Sequence, residues 1–276
     1  MKAEATYGII GGTGVYDPAL LDNPQQVTIH TSYGDAMATI GEYMGKTVAF
    51  MPRHGYGHSI PPHKINYRAN IAALKQLGVR QVLATAAVGS LQIEYAPGAL
   101  VLIDDFLDFT KSRPTTFFED FPVVHCDMSD PYCGRLRQGI ARAAKRAGVS
   151  IVNGGVYVTA EGPRFETPAE IRFYQSIGAA VVGMTSVPEV VLAKEAQICY
   201  ATVCMVTNYA AGLSRSPLTH EEVVETMANN VHLLRRLFFE FIHNDDQTID
   251  CRCPHSVVEQ IPLAGDISNA EGENRS

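Results

Sequence analysis

Two short pairs of residues could do chemistry together. Arg53-His54 sits just past a strand-like run, and Phe165-Glu166 lies on a loop before a helix start. Arginine's planar, permanently charged fork suits oxyanion recognition, and His54 adds a donor that can switch with protonation. An aromatic ring beside a carboxylate can stack a flat heterocycle and accept from its ring N–H. The segment GMTSVPEVVLAKEAQICYATVCMVTNYAAG (residues 183–212) supplies the rest. It reads as a strand end, a short helix with Pro188 in its first turn, a second strand and a polar turn. In an open α/β sheet, ligands sit beyond the carboxyl ends of strands. Two successive strands are therefore expected to deliver Met184/Thr185 and Thr207/Asn208 to the same edge. Plainer readings exist for each: a surface Arg53, a core His54, and a Glu166 that only favours the start of the next helix.

Gly11-Gly12-Thr13-Gly14 follows the apolar residues 7–10 and lets backbone approach a ligand. As a dinucleotide loop it is a poor fit, because the frame that starts at Gly12 has Asp17 where a third glycine belongs. As an anion nest it would use backbone N–H groups and the Thr13 hydroxyl. A structural turn is the third reading.

The elements that must position these groups alternate between strand and helix. Residues 36–43 and 46–51 flank Gly45 as a hairpin, residues 66–77 place apolar side chains on one helical face, and residues 81–86 form a strand ending in Ala87-Val88-Gly89-Ser90. Residues 99–104 form another strand. Asp130-Pro131 opens a helix that Gly148 stops. After a strand over 155–159, Thr167-Pro168-Ala169-Glu170 is a capping box. Thr219 and Glu222 make a second, before a helix striped by Val223, Met227, Val231, Leu234, Phe238 and Phe241. The expectation is one α/β domain with a mixed, mostly parallel central sheet flanked by helices. It spans residues 1–243, and an acidic, solvated tail follows over 244–276.

The 276 residues carry a net charge of -7, and -5 of it falls from Asn244 onward. A body near neutrality lacks the clustered Lys and Arg that nucleic-acid binding needs. No apolar run is long enough to span a membrane, and the first residues do not read as a signal peptide, so a cytoplasmic protein is expected. Six scattered cysteines include no Cys-x-x-Cys pair, which argues against zinc. Cys251-Arg252-Cys253 admits a redox pair, a staple for the tail, or free thiols.

Taken together, GIIGGTG, RHG followed by INYRANI, the alanine-rich strand end before GSL, EGPRFET, GMTSVPEVVLAKEA and VTNYAAG resemble the trimeric purine nucleoside phosphorylase and methylthioadenosine phosphorylase family. The resemblance runs from about Tyr7 to about Ile242. It implies reversible phosphorolysis, in which phosphate and a nucleoside give free base and ribose 1-phosphate. By motif, Thr13, Arg53, His54, the backbone at Ala86 and Ala87, and Thr185 would hold phosphate. Met184 would lie against the ribose and Phe165 on the base, with Tyr209 and Ala210 beside Asn208. His125 would cover the ribose site of a neighbouring subunit, which implies a homotrimer or a dimer of trimers. No cofactor and no metal are implied; phosphate is a co-substrate.

The overall spacing resembles the methylthioadenosine branch, whereas three positions point to 6-oxopurines. That family's 6-aminopurine enzymes carry Asp where this chain has Asn208, and a small residue where it has Glu166. Asn208 can donate to O6 and accept from a protonated N7, while Glu166 can accept from N1–H, which adenine lacks. His220 matches a histidine that bonds a 5′-hydroxyl, where methylthio enzymes are apolar. The expectation is a 6-oxopurine nucleoside phosphorylase acting on inosine and guanosine, with Asn208, Glu166 and His54 as its catalytic groups. The same chemistry on methylthioadenosine or methylthioinosine is the alternative, and an NAD-dependent oxidoreductase using the glycine loop is a distant one.

Overall fold

A computed structural model describes residues 5–12, 20–119, 123–213 and 220–259. The chain begins with β1 (Tyr7–Gly11), β2 (Asp22–Thr31), β3 (Gly34–Tyr43) and β4 (Lys46–Pro52). β2, β3 and β4 form an antiparallel meander, and β4 returns alongside β1 in parallel. β2 is exposed along most of its length, DNPQQVTIHT, so no strong alternation marks it in the sequence. A dinucleotide fold would send a crossover helix from β1; among the described residues the next element is this meander.

Helix α1 (Tyr67–Gln76) is capped by Asn66, whose side chain accepts from the Ala69 amide. β5 (Gln81–Ser90) follows, then β6 (Leu100–Leu102), β7 (Asp105–Phe109), β8 (Val124–Cys126) and α2 (Gly134–Ala147). β9 (Val152–Asn153), β10 (Val156–Ala160), α3 (Pro168–Ser176), β11 (Ala179–Gly183), α4 (Ser186–Glu195), β12 (Cys199–Tyr209), α5 (His220–Asn244) and β13 (Val257–Glu259) complete the described chain. The box at Thr167 forms in both directions, with Glu170 reaching back to the Thr167 amide. Gly148 ends α2 at a positive φ of 63°, where a side chain would be strained. That helix starts at Gly134 and not at Asp130, because the Cys133 amide is drawn to the Tyr200 carbonyl of β12. Thr219 lies outside the described residues, so its box is left aside.

The large sheet runs β2-β3-β4-β1-β5-β11-β10-β7, and β12 pairs with β5 and β6. It is mixed and mostly parallel. One apolar cluster packs α1 and α4 against one face; a second packs α2 and α5 against the other. A third joins α3 to β10, β11 and Ala210.

The important irregularity lies beside β5. β12 covers one of its edges along the whole strand, Cys199 to Tyr209 against Gln81 to Ser90. On the other edge β1 pairs only as far as Ala84, and β11 pairs only at Gly89 and Ser90, in the antiparallel sense. Thr85 to Val88 therefore have an open edge inside the sheet. Sequence reasoning expected a pocket beyond parallel strand ends; β11 instead runs opposite to β12. Its last residue still points Met184 and Thr185 towards the gap, while Thr207 and Asn208 lie in β12 itself, not past it. The site is a split in the sheet.

The acidic segment from Asn244 was expected to be solvated, yet residues 245–259 are folded onto the body. The Asp245 carboxylate accepts from the Tyr7 hydroxyl at 2.8 Å, the Gln81 amide at 2.9 Å and the Arg135 guanidinium at 3.1 Å. Lys46 donates to the Asp245 carbonyl. Composition misses this because one acid with three partners is bound, whatever the charge of its neighbours.

Candidate active site

Arg53 follows β4 at the lip of the split, where its amide donates to the Gly11 carbonyl. Its side chain is buried and runs inward. Nε and Nη2 donate to the two oxygens of Glu189 at 2.7 and 2.6 Å, and Nη1 donates to the Thr85 carbonyl at 2.6 Å. Those bonds use three of the five guanidinium N–H groups, which leaves one on each terminal nitrogen. Tyr200 donates to Glu189 as well, at 2.7 Å. Arg53 is thus fixed with its charge at the open edge of β5, its pKa driven further up by the Glu189 carboxylate against the opposing effect of burial. Glu189 was not foreseen as a site residue. The signal was present: one carboxylate in the otherwise apolar run SVPEVVLA must find a cation if that helix is buried.

His54 is buried beside it. Its Nδ1 lies 2.9 Å from the Ile60 carbonyl and its ring stacks on His58 at 4.1 Å. Burial first, and then the Arg53 charge, lower its pKa to about 4. A neutral His54 with Nδ1–H on Ile60 presents an Nε2 lone pair, which can accept from a protonated oxyanion. Ala86 is buried and Ala87 exposed on β5. Strand peptides alternate between edges, so the Ala87 amide faces the same side as the Thr85 carbonyl. Thr185 is buried at the start of α4 and its amide donates to the Tyr157 hydroxyl at 3.3 Å. Thr13 lies outside the described residues. Arg53, His54, the β5 edge and Thr185 are thus brought together on one side of the sheet.

The second half of the site comes from the loops after β10 and β12. Gly162 has φ of 67°, and a Cβ there would meet the Met184 sulfur at 2.5 Å, so this glycine lets Met184 lie against the loop. Gly212 packs similarly on Pro168, and Ala210 belongs to the cluster under α3. Those contacts bring the end of β12 to the loop that carries Phe165 and Glu166. Phe165 is 64% exposed, a large cost in apolar area for a residue with no contact to make. One Glu166 oxygen is buried with no hydrogen-bond partner, and burial raises the pKa of this carboxyl. The capping-box role belongs to Glu170 instead, so Glu166 is not held for the helix.

Asn208 Oδ1 accepts from the Thr207 hydroxyl at 2.8 Å and Nδ2 donates to the Tyr209 carbonyl at 2.9 Å. A Cβ at Gly89 would come within 3.2 Å of that Nδ2. The Tyr209 hydroxyl donates to the Ile93 carbonyl at 3.1 Å. His125 is exposed on β8, which pairs with β13 in a separate ribbon. The helix begins at His220; the side chain of His220 lies outside the described residues.

Arg113 is the other residue that sequence reasoning passed over. Buried, it donates through Nη1 to the carbonyls of Met184 at 2.7 Å and Val187 at 2.9 Å, and through Nη2 to that of Glu161 at 2.6 Å. It ties the loop after β10 to the loop after β11. Its Nε also pairs with the Glu161 carboxylate at 3.2 Å, but nothing in KSRPTT signals the bridge, because the bonds that join the two loops go to main-chain carbonyls, which no side-chain pattern reveals.

Arg53, His54 and Thr185 thus gather at the open edge of β5, while Phe165, Glu166 and Asn208 come from the loop after β10 and the end of β12. Residues 6–243 match the family model described as the phosphorylase superfamily. The chain is 49% identical over 253 residues to the 6-oxopurine nucleoside phosphorylase of Pyrococcus furiosus, covering 89% of this chain and 95% of that one. It is 49% identical over 244 residues to the S-methyl-5′-thioadenosine phosphorylase of Hyperthermus butylicus, covering 87% and 89%. A crystal structure of methylthioadenosine phosphorylase from an Antarctic soil metagenomic library superimposes with a TM-score of 0.88 at 34% identity, over 95% and 94% of the two chains. This protein belongs to the phosphorylase superfamily, and within it to the purine nucleoside phosphorylases. Among the described residues no helix is long and apolar enough to cross a membrane.

Proposed function

We propose that this protein catalyses the reversible phosphorolysis of 6-oxopurine nucleosides, inosine and guanosine, to the free base and ribose 1-phosphate. The observation that carries the reading is the buried, unpartnered Glu166 oxygen on the loop that meets the end of β12. A buried acceptor without a donor costs stability, and a purine with hydrogen on N1 supplies the donor. Adenine would oppose a ring lone pair to it. Asn208 completes the edge, because an amide can donate to O6 and accept from a protonated N7.

On this reading a phosphate oxygen attacks C1′, the C1′–N9 bond breaks, and its electron pair passes to the purine. Asn208 holds the negative charge that grows on the purine edge as the bond breaks, which is where stabilisation accelerates the step, while Glu166 fixes the base through N1–H and solvent supplies the proton to N7. Arg53, His54, Thr185 and Thr13 hold phosphate, with the Ala86 and Ala87 backbone behind it. Phe165 stacks on the base and Met184 lies under the ribose. Holding both substrates in line removes much of the entropic barrier. His125 reaches the ribose site of a neighbouring copy, so the enzyme works as a trimer or a pair of trimers in the cytoplasm. Tyr209 and Ala210 shape the base pocket, and His220 bonds the 5′-hydroxyl.

The test is a comparison of kcat/KM for inosine, guanosine, adenosine and their 5′-methylthio forms. Preference for a 6-aminopurine would remove the role given to Glu166. A methylthio reading keeps the same chemistry, and the Hyperthermus relative's name favours it; preference for methylthioinosine over inosine would select it and displace His220 alone.

A further inference from the structure

All six cysteines are free thiols, and four of them converge. Cys133 precedes α2, Cys199 opens β12, and Cys251 and Cys253 come from the segment after α5. Their four sulfurs lie within 4.8 Å of one another, and those of Cys199 and Cys251 are 3.4 Å apart. A tetrahedral ion with Zn–S bonds of about 2.3 Å sets its sulfurs about 3.8 Å apart. The cluster is already near that spacing. Cys133, Cys199 and Cys253 are buried, while Cys251 is partly exposed and gives an ion a way in.

We propose that Cys133, Cys199, Cys251 and Cys253 bind one Zn2+ as a closed structural site. Each thiol releases its proton on ligation, so the four thiolates and the ion carry a charge of −2. Arg135, in the first turn of α2, interacts with Cys133 and Cys199 and opposes that charge. With four protein sulfurs there is no open position for substrate, so the role is to hold the fold.

The absence of a Cys-x-x-Cys pair argued against zinc only for a local knuckle. Here the ligands arrive from three distant parts of the chain, and just Cys251 and Cys253 are neighbours. Zinc at this point would pin the segment that continues through Ser256, whose hydroxyl donates to the Lys194 carbonyl, into β13. β13 in turn backs β8, the strand that carries His125.

The experiment uses the full chain, expressed with zinc in the medium and purified under reductant. About one zinc per chain by elemental mass spectrometry is expected, and cobalt exchanged into the site should show the visible bands of a tetrahedral tetrathiolate. A Cys251→Ser/Cys253→Ser double variant should lose the metal and melt earlier, whereas Cys126→Ser, outside the cluster, should keep both. Metal content and the cobalt spectrum of the unmodified protein decide the matter even if a variant does not fold. Four reduced thiols with no zinc above background, iron in place of zinc, or two disulfides joining these cysteines in a non-reducing mass map would each overturn the site.

Discussion

Arg53 and Glu189 meet across the split in the sheet through two parallel hydrogen bonds of 2.7 and 2.6 Å, with both side chains almost wholly out of water. Such a pair is costly to desolvate and adds little net stability, but breaking it leaves a buried charge alone. It holds the guanidinium still, with Nη1 on the Thr85 carbonyl at the open edge of β5, where the proposed function places phosphate. Replacing Glu189 with Gln should lower stability by about 3 kcal/mol or more and raise KM for phosphate. An Arg53→Met/Glu189→Met pair should recover much of the unfolding midpoint without recovering phosphorolysis. Equal activity in E189Q and the parent would mean that the pair does not preorganise the anion site.

Glu166 has the opposite problem: one of its oxygens is buried without a partner. Because burial raises its pKa, the folded state holds the proton more tightly than the unfolded chain does. Its ionisation therefore costs stability as pH rises above the unfolded value near 4.5. Glu166→Gln should melt later than the parent at neutral pH and less so near pH 4, by calorimetry at both. The same shift predicts that kcat/KM for inosine falls on the acid side at a higher pH than an ordinary carboxylate would impose, since a protonated Glu166 presents a hydrogen to N1–H. Glu166→Gln should lose that acid limb along with at least about tenfold in kcat/KM.

His54 titrates in the other direction. Its pKa is lowered to about 4 in the folded protein, so the unfolded chain binds more protons between the ordinary value of 6.5 and about 4. Stability should fall as pH drops through that window. The sign follows from linkage. His54→Gln should flatten the dependence of melting temperature on pH between 6.5 and 4 while weakening phosphate binding. An unchanged slope would show that another group carries the acid sensitivity.

The placement of the candidate residues on loops and strand ends was legible in the sequence because it is set locally. Met184, Phe165 and Asn208 sit on motifs whose flanking residues already specify a strand end or a helix cap, as at Thr167. What stayed hidden depends on distance in the chain. The antiparallel entry of β11 beside β5 cannot be read from the apolar run at 179–183, since that run suits either direction. Asp245 looks like part of a solvated tail until Tyr7, Gln81 and Arg135 are seen around it. Arg113 is invisible for a related reason, as every carbonyl in the chain is a possible partner.

Arg113 is a positioning residue on the proposed function. Its fork joins the carbonyls of Met184 and Val187 to that of Glu161 and so sets the distance between the loop after β11 and the loop after β10. Lysine cannot bridge those carbonyls with a planar fork. Arg113→Lys should raise KM for the nucleoside several-fold while KM for phosphate, held from Arg53 and β5, changes little. A general loss of folding would move both constants and the melting temperature together, so the split between the two constants is the measurement that matters.

Asn208 tests the substrate itself. Its Oδ1 accepts from Thr207 and its Nδ2 donates to the Tyr209 carbonyl, and a flipped amide would set its oxygen against that carbonyl. An aspartate side chain at this position would bring a carboxylate oxygen up to the Tyr209 carbonyl, a contact that favours the protonated acid. That acid keeps one donor and places its carbonyl oxygen where a 6-amino group can donate to it. Asn208→Asp should therefore raise the ratio of adenosine to inosine kcat/KM by about tenfold or more, chiefly by losing inosine. If the ratio stays put while both rates fall, the 6-position is read by some other group, and the assignment of Asn208 to that edge of the purine is wrong.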